Sequence, residues 1–61
     1  MTRNQILHEM KLRIEAVRLA AEMALCDIER KDFSEIYHRL DQMKMYSDRA
    51  KLDLDASYKV A

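Results

Sequence analysis

Apolar residues recur in alternating steps of three and four along both halves of the chain, with one serine among them. The first series is Leu7, Met10, Ile14, Val17, Ala21, Ala24 and Ile28, and the second is Phe33, Ile36, Leu40, Met43, Ser47, Ala50 and Leu54. We call these positions the heptad seam. Such spacing gives each segment an amphipathic α-helix with one apolar side for a partner helix. The pattern predicts an all-α fold of two long helices.

Capping signals set the bounds of the two helices. Thr2 followed by Gln5 matches a capping box and predicts a first helix over about 3–29. Asp32 followed by Glu35 repeats the pattern and predicts a second helix over about 33–58. The turn then falls at 30–32. Because the chain has no glycine and no proline, a continuous kinked helix is the alternative to a hairpin.

The sizes of the seam residues favour the hairpin. Folding the chain back at the turn brings Ala24 and Ala21 opposite Leu40 and Met43, and Val17, Ile14 and Met10 opposite Ser47, Ala50 and Leu54. Large residues set against small ones allow close packing. We therefore expect residues 1–61 to form one antiparallel two-helix hairpin.

The first helix carries a second apolar stripe about 160° from its seam. This outer stripe consists of Leu12, Ala16, Leu19, Met23 and Cys26. A helix that is apolar on two sides is normally covered on both, and a core of this size contributes only roughly 3–5 kcal/mol. We predict that the outer stripe is a homodimer interface and that two hairpins form a four-helix bundle. The alternatives are a groove for a helix of another protein and simple exposure.

The second helix has a weaker set of outward-facing apolar and aromatic residues. They are Tyr37, Met45, Tyr46 and Leu52, with Tyr58 beyond them. Methionine repacks easily and tyrosine offers rigid contact area with a polar end, so the set suits protein recognition. We predict a partner-binding surface here. The alternative is that the tyrosines flank the core and the others are ordinary surface residues.

Catalytic and metal-binding patterns are weak. The chain lacks the glycines of a phosphate loop, and Glu35 and His38, the Glu-x-x-His spacing of di-iron bundles, are expected to face away from the seam. Cys26 has no histidine nearby to activate it and is expected to be a small buried residue, while His8 is expected at the surface. We therefore expect no enzyme activity, no cofactor and no metal.

The net charge is +0, with eleven basic and eleven acidic residues, which argues against nucleic-acid binding. In length and predicted hairpin topology, however, the chain resembles the Rop family of plasmid RNA-binding four-helix dimers. That resemblance implies an RNA face along helix 1, where Arg3, Lys11, Arg13 and Arg18 lie. Acidic residues interrupt this row, and no aromatic residue stands among them for base stacking.

The combined expectation is a small cytoplasmic protein, because the chain has a free cysteine, no signal sequence and no membrane span. We predict a non-enzymatic, phage-like regulator that acts as a homodimer and inhibits or modulates an unidentified protein by binding it. The alternative is a Rop-like regulator associated with RNA or DNA. A structural or assembly adaptor is the third hypothesis.

Overall fold

The computed structural model describes residues 2–59, and it consists of two antiparallel helices joined by a tight turn. Helix α1 spans Arg3–Arg30 and helix α2 spans Phe33–Lys59. The two helices pack along their length into a slab whose Cα atoms extend 48 × 14 × 11 Å. The predicted hairpin is confirmed, each helix ends within one residue of its predicted bounds, and the continuous kinked helix is wrong.

Side chains at both N-termini satisfy the free backbone N–H groups, as the sequence predicts. Thr2 Oγ1 accepts from the Gln5 N–H at 3.2 Å, and Gln5 Oε1 accepts from the Thr2 N–H at 2.8 Å, which completes the capping box. At the start of α2, Asp32 Oδ1 accepts from the Glu35 N–H at 3.3 Å. These local bonds fix where each helix begins.

The turn is a Schellman motif built without glycine. The Asp32 N–H donates to the Asp27 carbonyl at 2.9 Å, and the Lys31 N–H donates to the Ile28 carbonyl at 3.1 Å. Lys31 adopts the left-handed conformation, with φ 59° and ψ 34°. A side-chain-bearing residue is strained there by roughly 1–2 kcal/mol. The reversal of the chain therefore depends on one strained residue.

The space between the helices is small and partly polar. Within residues 2–59, the buried apolar side chains are Ile6, Ala20 and Ala24, and no side chain is fully buried. Asp27 and Ser57 are also buried. Alanines allow the two backbones to approach closely, but they bury little apolar area. The hairpin alone therefore has almost no hydrophobic core.

Two ion pairs cross between the helices within this space. Arg13 Nε donates to Asp53 Oδ2 at 2.7 Å, and Arg39 Nε lies 3.4 Å from Asp27 Oδ2. The second contact lacks hydrogen-bond geometry, and both of its atoms are buried without another hydrogen-bond partner. Buried polar atoms in this state are costly. These pairs therefore fix the register of the helices at the expense of stability.

The predicted placement of the heptad seam between the helices is wrong for about half of its members. Each helix is rotated so that Arg13, Ala20 and Asp27 of α1 face inward. Ile14 and Leu40, which were expected inside, are 54% and 53% exposed. Asp27 contacts Arg39 of α2 instead of a residue of its own helix. The rotation occurs because arginine and aspartate side chains find partners across the hairpin, which the spacing along one helix does not reveal.

Candidate functional site

The rotation turns the heptad seam into an apolar surface that both helices share. On one side of the slab an open groove runs between Met10, Ile14 and Val17 of α1 and Ser47, Ala50 and Leu54 of α2, with Lys51 at its edge. The helical period continues this surface toward both ends. We call it the open face, and its members are Leu7, Met10, Ile14, Val17, Ala21, Ile28, Leu40, Met43, Ser47, Ala50 and Leu54.

Residues of the open face divide into a floor and two ridges. Met10, Val17 and Met43 are half-buried and form part of the floor. Ile14, Leu40 and Leu54 project from the floor and are exposed. Along this groove the larger residues of α1 lie on one side and the small Ser47 and Ala50 of α2 lie on the other, and the groove is open to solvent. An apolar surface that spans both helices is the usual sign of an interface.

The outer stripe lies on the opposite side of α1. Leu12, Leu19 and Met23 are exposed, and Ala16 is half-buried. Cys26 is exposed in the hairpin, because it belongs to the outer stripe and α2 does not cover that side of α1; its expected burial requires a partner on this stripe. The structure therefore leaves the predicted dimer stripe uncovered by the hairpin itself.

A second groove joins part of the outer stripe to part of the predicted partner-binding set. Ala16, Leu19 and Met23 line it from α1, and Arg39, Gln42 and Tyr46 line it from α2. Arg39 is held there by Glu35, 3.4 Å from its Nη2, and by Gln42, whose Oε1 accepts from Nη1 at 3.4 Å. This groove mixes apolar walls with a fixed arginine. The sequence pattern puts these two walls on separate surfaces, because the position of Tyr46 relative to α1 depends on the register of the hairpin.

The rest of the predicted partner-binding set points away from both grooves. Tyr37 is 75% exposed, and Met45 and Leu52 are also exposed. Tyr58, at the far end of α2, is exposed as well. Tyr46 alone is half-buried. The structure does not gather these residues into one patch.

Titratable residues show no arrangement that would hold a metal. Within residues 2–59, no group of three or more histidine, cysteine, aspartate or glutamate side chains is close enough to bind one ion. Glu35 is half-buried beside Arg39, while His38 and His8 are exposed. Glu35, the acidic member of the Glu-x-x-His pattern, thus forms an ion pair with Arg39.

Neither helix, over the residues described, is long and apolar enough to cross a membrane. No protein-family model matches the chain, no curated protein matches it in sequence, and no solved structure matches it in fold. Its surfaces are therefore the basis for assigning a function.

Proposed function

We propose that this protein is a non-enzymatic regulator that forms a homodimer through the open face and binds another protein with the surface that remains. The dimer is a four-helix bundle in which the open faces of two hairpins form the common core. The observation that carries the proposal is the apolar surface shared by both helices of a hairpin that lacks a core of its own. This assignment moves the dimer interface from the outer stripe to the open face.

The exposed area of the hairpin supports a second copy. The chain exposes 5002 Å², whereas a compact monomer of 7.3 kDa exposes about 4200 Å². The excess, roughly 800 Å², is close to what each partner buries in a standard protein interface. A slab two helices wide and one helix thick has this excess because of its shape, and stacking a second slab on the open face removes it.

Side-chain energetics point the same way. Ile14, Leu40 and Leu54 on the open face are each about half exposed, and covering the exposed half of each contributes about 0.7–1.5 kcal/mol. The interior of the hairpin instead contains two ion pairs and alanines. A monomer would thus expose its larger apolar residues and bury its charges. In the dimer the large apolar residues of the open face become internal.

For the regulated protein we propose an amphipathic helix that lies in the second groove. Ala16 lets a third helix approach α1 closely, and Leu19, Met23 and Tyr46 offer apolar contacts. Polar Arg39 and Gln42 line the same groove and can bond to the polar edge of such a helix. Binding would block the target's normal partner by occupying the same apolar stripe.

One of the four basic residues that the Rop-like alternative needs for RNA binding is already engaged in ion pairs. Arg13 is half-buried and pairs with Asp53 at 2.7 Å and with Glu9 at 3.2 Å. Its single positive charge is thus already paired with two carboxylates of its own chain. A phosphate backbone needs positive charge that is not already neutralised. We therefore keep protein binding as the proposed function.

Two matched substitutions test both halves of the proposal. Ile14 and Leu19 lie on the same helix, each is 54% exposed in the hairpin, and they stand on opposite sides of the slab. Ile14→Glu should abolish the dimer in sedimentation equilibrium, because an unpaired carboxylate in an apolar core is costly. Leu19→Glu should leave the dimer intact and should abolish capture of the target from extracts of the source cells.

The reverse result decides against the open face. If Leu19→Glu dissociates the dimer and Ile14→Glu does not, the interface is the outer stripe. A target that binds the Leu19→Glu dimer as well as it binds the wild-type dimer would overturn the proposed groove while leaving the dimer in place.

A further inference from the structure

The two crossing ion pairs define which residues of α1 and α2 lie at the same height along the slab. Arg13 lies level with Asp53, and Asp27 lies level with Arg39. Between the first pair and the second, the residue number rises by fourteen on α1 and falls by fourteen on α2. Intermediate positions follow by counting equal steps from either pair. Arg18, five residues after Arg13, is therefore level with position 48, five residues before Asp53.

Charged residues border the open face along its two outer edges. On α1 they are Lys11, Glu15, Arg18 and Glu22, and on α2 they are Lys44, Asp48, Lys51 and Asp55, all exposed. Both rows advance by four, three and four residues, so each is a stripe along one side of its helix. The signs alternate along each row. These rows are the positions that would meet across the edge of a four-helix bundle.

Symmetry fixes the heights at which the two rows meet in one type of dimer. A two-fold axis parallel to the helices places α1 of one copy beside α2 of the other and leaves every height unchanged. Residues that are level within one hairpin are then level between the two copies. The axial register is set by the hairpin and has no freedom to adjust.

At that fixed register every charge in the two rows meets its opposite. Lys11 is level with Asp55 of the second copy, and Arg18 is level with its Asp48. The acidic residues of α1 meet basic ones: Glu15 is level with Lys51 of the second copy, and Glu22 is level with its Lys44. These level pairs include all eight charges named above, with no like-charged pair among them.

We propose that two copies pack open face to open face about an axis parallel to the helices, so that both turns lie at the same end of the bundle. This inference rests on the proposed homodimer and adds its arrangement. A dimer with the turns at opposite ends also joins opposite charges, for example Arg18 with Glu22 of the second copy. In that dimer the opposite charges meet only at one particular axial register, which the hairpin does not fix.

Charge exchange between the rows tests this arrangement. Arg18→Glu should weaken the dimer on the order of tenfold, because it places a like charge beside Asp48 at two symmetric sites. The further change Asp48→Arg in the same chain should bring the dissociation constant back toward the wild-type value. The control combines Arg18→Glu with Glu22→Arg. Its dimer should stay weak, because the guanidinium introduced by Glu22→Arg would face Lys44 of the second copy.

A distance measurement provides a second test that does not depend on ion-pair strength. In a Cys26→Ser background, the exposed Arg30 next to the turn is changed to cysteine and spin-labelled. The labels should lie within the width of the bundle, well short of the length of α1, which is about 42 Å for 28 residues. A separation near that length would overturn the parallel axis.

The outcomes separate this inference from the proposed function. A wild-type chain that sediments as a monomer contradicts the homodimer itself. Suppose the wild-type chain is a dimer, but dimerisation of the Arg18→Glu chain recovers with Glu22→Arg and not with Asp48→Arg. That result, or labels about 40 Å apart, contradicts only the arrangement. Recovery with Asp48→Arg together with a short label distance supports it.

Discussion

Replacing Lys31 with glycine should stabilise the protein. Lys31 holds φ at 59° in the turn, a conformation that costs a residue with a Cβ roughly 1–2 kcal/mol. Glycine removes this strain but adds freedom to the unfolded chain, at about 0.5–1 kcal/mol. The net gain should be about 0.5–1 kcal/mol for each chain. The two turn bonds to the Asp27 and Ile28 carbonyls use only backbone atoms and should remain.

Urea denaturation followed by circular dichroism at a fixed chain concentration measures this change. The matched control is Arg30→Gly, one residue earlier, where the backbone is still helical. That substitution should cost about 1 kcal/mol, because glycine is a poor helix former. If Lys31→Gly lowers the stability as Arg30→Gly does, the left-handed conformation assigned to Lys31 is wrong.

Three further predictions follow from local contacts. Thr2→Ala should lower the free energy of unfolding by about 1 kcal/mol in the same urea assay, since it removes the capping box; an unchanged midpoint would show that the cap is not formed. Asp27→Ala should cost about 2 kcal/mol, because the buried Nε of Arg39 loses the carboxylate that lies against it while Glu35 and Gln42 contact only the other guanidinium nitrogens; Asp27→Leu with Arg39→Met should stay near wild type by calorimetry. Finally, binding to a mixed RNA pool should be absent even at low salt, whereas steeply salt-dependent binding would revive the Rop-like alternative.

Helix bounds and the hairpin were predictable because their causes are local. Thr2 and Asp32 each accept a hydrogen bond from the backbone N–H of the residue three positions along, as the sequence indicates. Only the Thr2–Gln5 box is complete, because the Glu35 side chain pairs with Arg39 and the Asp32 N–H donates to the Asp27 carbonyl. The position of the turn follows from the second of these caps. The left-handed conformation of Lys31 was not predictable, because nothing in the residue type favours it.

The direction in which each helix faces was not predictable from apolar spacing alone. Ile14 and Leu40 were placed inside because apolar residues usually are, yet α1 and α2 meet instead through Arg13 and Asp27. Spacing along one helix suggests only Glu9 as a partner for Arg13, because Asp53, its second partner, is forty residues away. Heptad spacing marks the core of the final assembly, and that core need not lie within a single hairpin.

The same limit affected the candidate surfaces. The outer stripe is the expected dimer interface only if α2 already covers the heptad seam. Once the seam is found to be half-exposed, the outer stripe is the smaller apolar surface and shares its groove with Tyr46. A sequence pattern identifies which residues are apolar on a helix, but only the register shows which of them remain uncovered.

Sedimentation equilibrium of the wild-type chain shows whether the hairpin folds as a dimer. At micromolar concentration we expect a folded species of two chains, twice the 7.3 kDa of one chain, and we expect helicity to be lost together with the dimer on dilution. The physical reason is that the hairpin interior alone buries too few apolar side chains to fold stably. A cooperatively folded species of one chain mass over the same range would show that the hairpin is stable without a second copy.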